Sequence, residues 1–103
     1  MVAEDYKEQR KKIGPSIYAM LEDRVLVKSG KMQIYGTQVM VNNKNKIAEL
    51  LPVVSPDSID IRRKSIGLIQ SISDYLKQFD IAWNPEEYKK QLPGLKIKYK
   101  IID

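Results

Sequence analysis

A helix is predicted from about residue 16 to residue 29, because apolar side chains recur there at helical spacing. These side chains are Ile17, Tyr18, Leu21 and Val25. Pro15 suits the first turn of such a helix, and Gly30 suits its C-terminal cap. Residues 1–14 precede the helix as an N-terminal arm, which the Gly-Pro pair separates from it.

The pattern changes to period two between Met32 and Val41, which predicts a strand. One face of this strand would carry Ile34, Gly36, Gln38 and Met40, and the other Gln33, Tyr35, Thr37, Val39 and Val41. The asparagine-rich run at 42–45 predicts a turn, since asparagine tolerates positive φ. A second strand at about 46–51, ended by Pro52, should pair back as a hairpin.

Three shorter helices are expected in the second half of the chain. Ser55 and Pro56 open the first, which should stop near Gly67. Ser71 caps the second, which has the clearest amphipathic spacing. Asn84 starts the third, and Pro93-Gly94 should end it. Residues 95–101 then alternate between apolar side chains and lysine, which predicts a half-buried C-terminal strand.

Together these elements predict one small α+β domain over residues 1–103. Its hairpin packs against about three to four helices, and a C-terminal strand completes it. Residues 15–80 form the core of this domain, and residues 81–103 a helix–strand extension. The length of 103 residues suits one domain with one modest core.

Composition excludes several kinds of chemistry. The chain has neither cysteine nor histidine, which removes disulfides, thiolate nucleophiles and the commonest metal ligand. We therefore expect no metal and no cofactor. Carboxylate, lysine or tyrosine chemistry remains open, although the composition favours no catalysis by this chain alone. No segment approaches the roughly 18 apolar residues of a membrane span, and the polar N-terminus is not a secretory signal. A cytoplasmic location without membrane contact is expected.

The net charge of +5 permits nucleic-acid binding but does not favour it strongly. Lys96, Lys98 and Lys100 would form a positive stripe along the C-terminal strand. Tyr99 would point to the opposite face, whereas nucleic-acid-binding sheets place aromatic rings on the binding face. Charges spread over solvated surfaces are the simpler interpretation.

The segment from Gln33 to Gln38 is more polar than a packing strand requires. Its candidate binding residues are Gln33, Tyr35, Thr37 and Gln38. One interpretation is the floor of a polar pocket that binds a small ligand or a peptide backbone. The other is that the glutamine caps loop backbone groups and the tyrosine packs its ring, since buried amides must find partners.

Three arginines extend this candidate site. Arg62 and Arg63 share a helix face with Ile59 and Ile66, and Arg24 lies on the flank of the first helix. An arginine at such a place usually pairs with a carboxylate or with carbonyl groups. A structural pair, to Asp23 or Asp60, and an anion-binding site are the two alternatives.

These residues resemble the C-terminal half of an uncharacterised bacterial family known only as a domain of unknown function. Its signature is an Asp-Arg helix, here Asp23-Arg24, followed by a Q-x-Y-G-T-Q strand, here residues 33–38, and a double-arginine helix, here Arg62-Arg63. The resemblance covers residues 17–79. Members of that family carry a longer helical N-terminal part with a histidine, so the resemblance implies that this chain is a fragment or a shortened member.

The leading hypothesis is a non-catalytic binding or protein-interaction module with a polar or anion site around residues 33–38. Its partner would be a small anionic ligand or another protein. The first alternative is a fragment of an enzyme whose other half supplies acid–base residues. The second is weak nucleic-acid binding through the basic surface. A monomer and a homodimer are both compatible with the sequence.

Overall fold

The computed structural model describes the backbone of residues 3–102 and the side chains of residues 14–102. Four helices, α1 to α4, and two strands, β1 and β2, follow in the order α1, β1, β2, α2, α3, α4. They span Ala3–Lys28, Val39–Asn42, Ile47–Leu50, Ile59–Ser65, Ile72–Lys77 and Pro85–Lys98. A 3₁₀ turn, Pro56–Ser58, leads directly into α2. The prediction of a small α+β domain built from a hairpin and helices is confirmed.

The predicted hairpin is present and slightly shorter than expected. β1 and β2 pair antiparallel, with Val39 opposite Leu50 and Asn42 opposite Ile47. Residues 43–46 form the turn, and Lys46 closes it with a left-handed φ of 57°. The asparagine side chains support the turn, because those of Asn42 and Asn45 accept backbone N–H groups two residues further on.

The hydrophobic core lies where the hairpin and the following segment meet α2, α3 and α4. Its buried members are Leu50, Val53, Ile59, Ile72, Leu76, Tyr88 and Leu95. Tyr88 brings α4 to the hairpin, since its hydroxyl donates to Leu51 O at 2.8 Å. Burial raises the pKa of this phenol, so it stays a neutral donor.

α1 buries a different face from the one that its apolar spacing predicts. Ala19 and Asp23 are fully buried, whereas Ile17 and Val25 are about half exposed. The helical conformation is broken at Gly14, with φ 82° and ψ 165°, as its Gly-Pro pair predicts. The small alanine lets the helix approach closely, and the aspartate is drawn inward by backbone donors described below.

The predicted strand at 32–41 is wrong for most of its length. Residues 33–38 form a loop, whose regular pairing is limited to one isolated parallel bridge between Gln33 and Val53. Regular strand begins only at Val39. Gly36 has a φ of 73°, which turns the backbone and brings neighbouring N–H groups to the same side.

The predicted C-terminal strand is also wrong. α4 continues through Pro93 and Gly94 and ends only at Lys98. Leu95 and Tyr99 are four residues apart, so they share a helix face as readily as they share a strand face. The helix buries Leu95 and leaves Ile97 82% exposed, which a half-buried strand would not do.

Two of the three predicted N-cap residues cap their helices in the structure. The side chains of Ser71 and Asn84 accept the backbone N–H groups of Asp74 and Glu87, as N-caps do. Ser55, which was expected to cap its helix, makes no such bond and has a left-handed backbone. Its carbonyl instead accepts a hydrogen bond from Arg62.

Gly36→Ala should destabilise the protein, because a Cβ at this position would lie 2.7 Å from both Ile59 Cδ1 and Ile72 Cδ1. The left-handed backbone and the overpacking together should lower the free energy of unfolding by about 2–5 kcal/mol. Urea denaturation measures this change.

Gly94→Ala is the matched control, since nothing lies within 4 Å of a Cβ there. Within α4 it should be neutral or stabilise by up to about 1 kcal/mol. Equal effects of the two substitutions would contradict the close packing assigned to Gly36.

Candidate functional site

The candidate site is organised around the carboxylate of Asp23, which α1 carries into the interior. Its Oδ1 accepts the N–H groups of Ile34 at 2.8 Å and Tyr35 at 3.0 Å. Its Oδ2 accepts the N–H of Thr37 at 3.0 Å and the hydroxyl of the same residue at 2.8 Å. A fully buried charge is thus held by four donors from one loop.

Gln33 closes the same loop from inside. Its side-chain amide donates to the carbonyls of Gln38 and Leu51 at 3.0 and 2.9 Å, while its side-chain oxygen accepts the N–H of Gln38 at 2.8 Å. The side chain is fully buried. It therefore ties the two ends of the loop to each other and to Leu51, the residue that follows β2.

Arg62 binds carbonyl groups on both sides of the loop. Its Nε donates to Ile34 O at 2.9 Å, and its two terminal nitrogens donate to the carbonyls of Ser55 and Val54. Burial lowers the pKa of Arg62, and the charge of Asp23 acts in the opposite direction. The guanidinium thus compensates the buried carboxylate while it ties α2 to two segments.

Arg63 performs a similar task one residue further along α2. Its Nε donates to Gln70 O at 3.0 Å and its Nη1 to Tyr35 O at 2.7 Å. The guanidinium also lies 5.3 Å from the centre of the Tyr75 ring. Burial lowers the pKa of Arg63, against the charges of Asp60 and Asp23.

Four of the predicted binding residues thus turn their polar groups inward. Gln33, Thr37 and Arg63 are buried, and the three guanidinium nitrogens of Arg62 donate to carbonyls. A fifth, Tyr35, places its ring 6.4 Å from that of Tyr18. The arginines were expected to meet carboxylates or carbonyls, and their direct partners are carbonyls. The arrangement builds a rigid loop and leaves little donor capacity for a ligand.

The remaining two predicted residues, Arg24 and Gln38, lie on a groove of about 280 Å³ at the surface. Among the residues whose side chains are described, Ile17, Met20 and Leu21 of α1 also line it. Gln38 reaches the helix by donating its amide to Met20 O at 3.4 Å. The groove is apolar apart from one exposed guanidinium and one amide.

The three predicted nucleic-acid residues do not share a strand face. Lys96 and Lys98 belong to the last turn of α4, and Lys100 follows the helix with a left-handed φ of 59°. Lys98 is engaged by Glu49, which also accepts the hydroxyl of Tyr99 at 2.6 Å. No single lysine surface results.

No group of three or more acidic side chains in residues 14–102 is arranged to hold a metal ion. Within the described chain, no helix has both the length and the apolar character needed to cross a membrane.

Two important residues were not among the predicted site residues. Asp23 was considered as a partner for the arginines and as part of the Asp-Arg signature, and not as a site residue. Tyr75 was assigned to an amphipathic helix, yet its hydroxyl donates to Thr37 O at 2.7 Å. The motif itself was the available signal, since an aspartate preceding a loop of unpaired N–H groups can satisfy them.

Comparison with known proteins places this network in a family. Residues 5–86 match the model of a family of unknown function, DUF6624. The chain belongs to the DUF6624 family. The match includes the whole Asp23 network and extends beyond residues 17–79 at both ends. No curated protein and no solved structure matches the chain.

Asp23→Asn should be strongly destabilising, because an amide replaces two acceptor oxygens with one and places N–H groups against N–H groups. We expect a loss of about 3–5 kcal/mol in the free energy of unfolding. Urea denaturation of both proteins at neutral pH measures it.

Glu22→Gln is the control for this substitution. Its side chain is adjacent in sequence but partly exposed, so the change should stay within about 0.5 kcal/mol. An Asp23→Asn effect of the same size would show that the carboxylate does not hold the loop.

The Glu49–Lys98 pair should make a pH-dependent contribution to the free energy of unfolding. Hydrogen bonds from Lys98 and Tyr99 lower the pKa of Glu49 in the folded protein. The stabilisation that ionised Glu49 contributes is therefore fully present above the unfolded pKa of about 4.3. It is lost as the pH falls through the lower pKa of the folded state. Glu49→Gln should be less stable than the natural chain at pH 7, and the gap should close below about pH 4. Urea denaturation across this range tests it. A gap that persists unchanged to about pH 2 would contradict the assignment.

Proposed function

We propose that this DUF6624 domain is a non-catalytic protein-interaction module. Its binding surface is formed by Ile17, Met20, Leu21 and Arg24 on the outward face of α1, together with Gln38. The observation that supports this most directly is the groove that these five residues line.

Arg62 and Arg63 already bind backbone carbonyls inside the domain. This favours an interaction surface elsewhere rather than a small-anion site at these two arginines. A free guanidinium binds carboxylate or phosphate through two parallel N–H groups. Here the three nitrogens of Arg62 donate to backbone carbonyls, and Arg63 is almost fully buried. An anion would have to displace these bonds before it could bind.

α1 exposes several large apolar side chains. Ile17, Met20 and Val25 are each about half exposed on one helix. Scattered apolar side chains on a surface are normal, but neighbouring ones around a groove are typical of interaction sites. Because α1 buries Ala19 and Asp23 instead, these larger side chains remain available to a partner.

The chemistry of the groove indicates the kind of partner. Its apolar lining suits aliphatic side chains, and the exposed guanidinium of Arg24 suits a carboxylate beside them. The partner is therefore an apolar protein segment with an adjacent acidic residue. The net charge of +5 favours encounter with such a partner. A bacterial, cytoplasmic setting remains the prediction from sequence.

Site-specific photocrosslinking tests this proposal. We expect p-benzoylphenylalanine in place of Met20 to give a discrete adduct with another protein in the native cell. The adduct should be lost with Arg24→Glu, because charge reversal repels the acidic partner, and retained with Lys64→Glu, an exposed cation on α2.

Position 69 is the control for the crosslinker itself, since Ile69 is 93% exposed and lies outside the groove. The proposal would be overturned if positions 20 and 69 gave the same crosslinked products. It would also be overturned if Arg24→Glu left the adduct at position 20 unchanged.

A further inference from the structure

β1 has one edge that is not used within the described chain. Leu51 N–H donates to Gln38 O at 3.2 Å, and this bond fixes the alternation of the ladder. The amides and carbonyls of Met40 and Asn42 therefore face β2, and those of Val39 and Val41 face away. β2 is the only strand paired with β1 among residues 3–102.

The corresponding edge of β2 is covered. Leu50 O, which faces away from β1, accepts the hydroxyl of Tyr88 from α4. Ala48, Glu49 and Leu50 line a small cavity of about 150 Å³, which residues 81–84 and α4 enclose from the other side. The two edges of the hairpin thus differ, and only β1 offers a row of unpaired backbone groups.

The free edge also lacks the usual protection against pairing. Natural edge strands carry lysine, proline or a bulge that keeps other strands away. β1 reads Val-Met-Val-Asn, without a charge or a proline, and it pairs with β2 in an uninterrupted register. Met40 and Val41 are nearly half exposed. An unpaired backbone edge of this kind fits an extended strand rather than a helix.

The order of polar and apolar residues along this edge is the same in both directions. From Gln38 to Asn42 the side chains run polar, apolar, apolar, apolar, polar, and this order is symmetric about Met40. If two copies pair antiparallel about a two-fold axis at Met40, Val39 meets Val41 of the second copy twice. No like charges face each other, and every position finds a chemically similar neighbour.

We propose that β1 pairs antiparallel with β1 of a second copy, so that two hairpins form one four-stranded sheet with a two-fold axis at Met40. Val39 and Val41 supply four backbone hydrogen bonds across the axis. The two Met40 side chains meet at its centre, as a non-hydrogen-bonded pair. The contact is isologous and closes on itself, so it gives dimers and not fibres.

The polar ends of the symmetric run complement each other as well. In this register Gln38 lies opposite Asn42 of the second copy. Asn42 uses its side-chain oxygen for the N–H of Lys44, and Gln38 uses its side-chain nitrogen for Met20 O and the Thr37 hydroxyl. The amide nitrogen of Asn42 can therefore donate to the side-chain oxygen of Gln38 across the interface.

Disulfide trapping tests the geometry directly, because the chain contains no cysteine of its own. A non-hydrogen-bonded antiparallel pair brings Cα atoms to about 4.5 Å, which a disulfide can span. Met40→Cys should form a covalent dimer rapidly under mild oxidation. Ile69→Cys, more exposed but remote from the edge, should remain monomeric under the same conditions.

Sedimentation equilibrium tests the association without a crosslink. The paired edge is short, so we expect a weak dimer over protein concentrations of roughly 10 µM to 1 mM. Met40→Lys and Met40→Glu should each raise the dissociation constant about fivefold or more, since like charges would meet at the axis. Mixing the two variants should restore association. Ile69→Lys and Ile69→Glu are the matched controls.

Several outcomes would overturn the inference. These are a monomer mass across the whole concentration range, a dimer that Met40→Lys leaves intact, and a Met40→Cys crosslink no faster than that of Ile69→Cys. Circular dichroism establishes that each variant is folded. If the Met40→Glu chain fails to fold beside Glu49, the trapping experiment still decides the question.

Discussion

The buried carboxylate of Asp23 is the constraint on which the rest of this domain depends. A charge without water is unstable unless donors surround it, and the loop at residues 34–37 supplies four. This requirement explains why the loop abandons regular strand geometry. It also explains why Gly36 adopts a left-handed backbone, since the chain must turn its N–H groups toward one point.

Once the loop closes around Asp23, its carbonyls point outward and need donors in turn. Arg62 and Arg63 of α2 meet the carbonyls of Ile34 and Tyr35, and Tyr75 of α3 meets that of Thr37. The two positive charges also balance Asp23 and Asp60. The loop thus connects Asp23 of α1 on one side with α2 and α3 on the other, and this one aspartate fixes the position of both helices.

This internal network is distinct from the surfaces that face solvent. The residues of the network account for the shape of the domain, while the side chains of Arg24 and Gln38 line the surface groove that we propose for recognition. The free edge of β1 begins where the loop ends, so the same network also positions the strand that we propose to pair. The match to the DUF6624 model covers this whole network.

The sequence by itself determined the local features: the hairpin with its asparagine turn, the caps at Ser71 and Asn84, and the glycine that ends α1. The turn and the caps depend on neighbours within four residues, and the hairpin joins two strands that follow each other directly along the chain, so local spacing reveals all of them. Tertiary structure decided the burial of Asp23, the loop at residues 33–38 and the continuation of α4 beyond Pro93. In the first two cases the partners lie eleven or more residues away, as Asp23 and Ile34 do, so local periodicity carried no signal. In the case of α4, the apolar residues at 95 and 99 fit the period of a helix and that of a strand equally well. The packing of Leu95 in the core selected the helix.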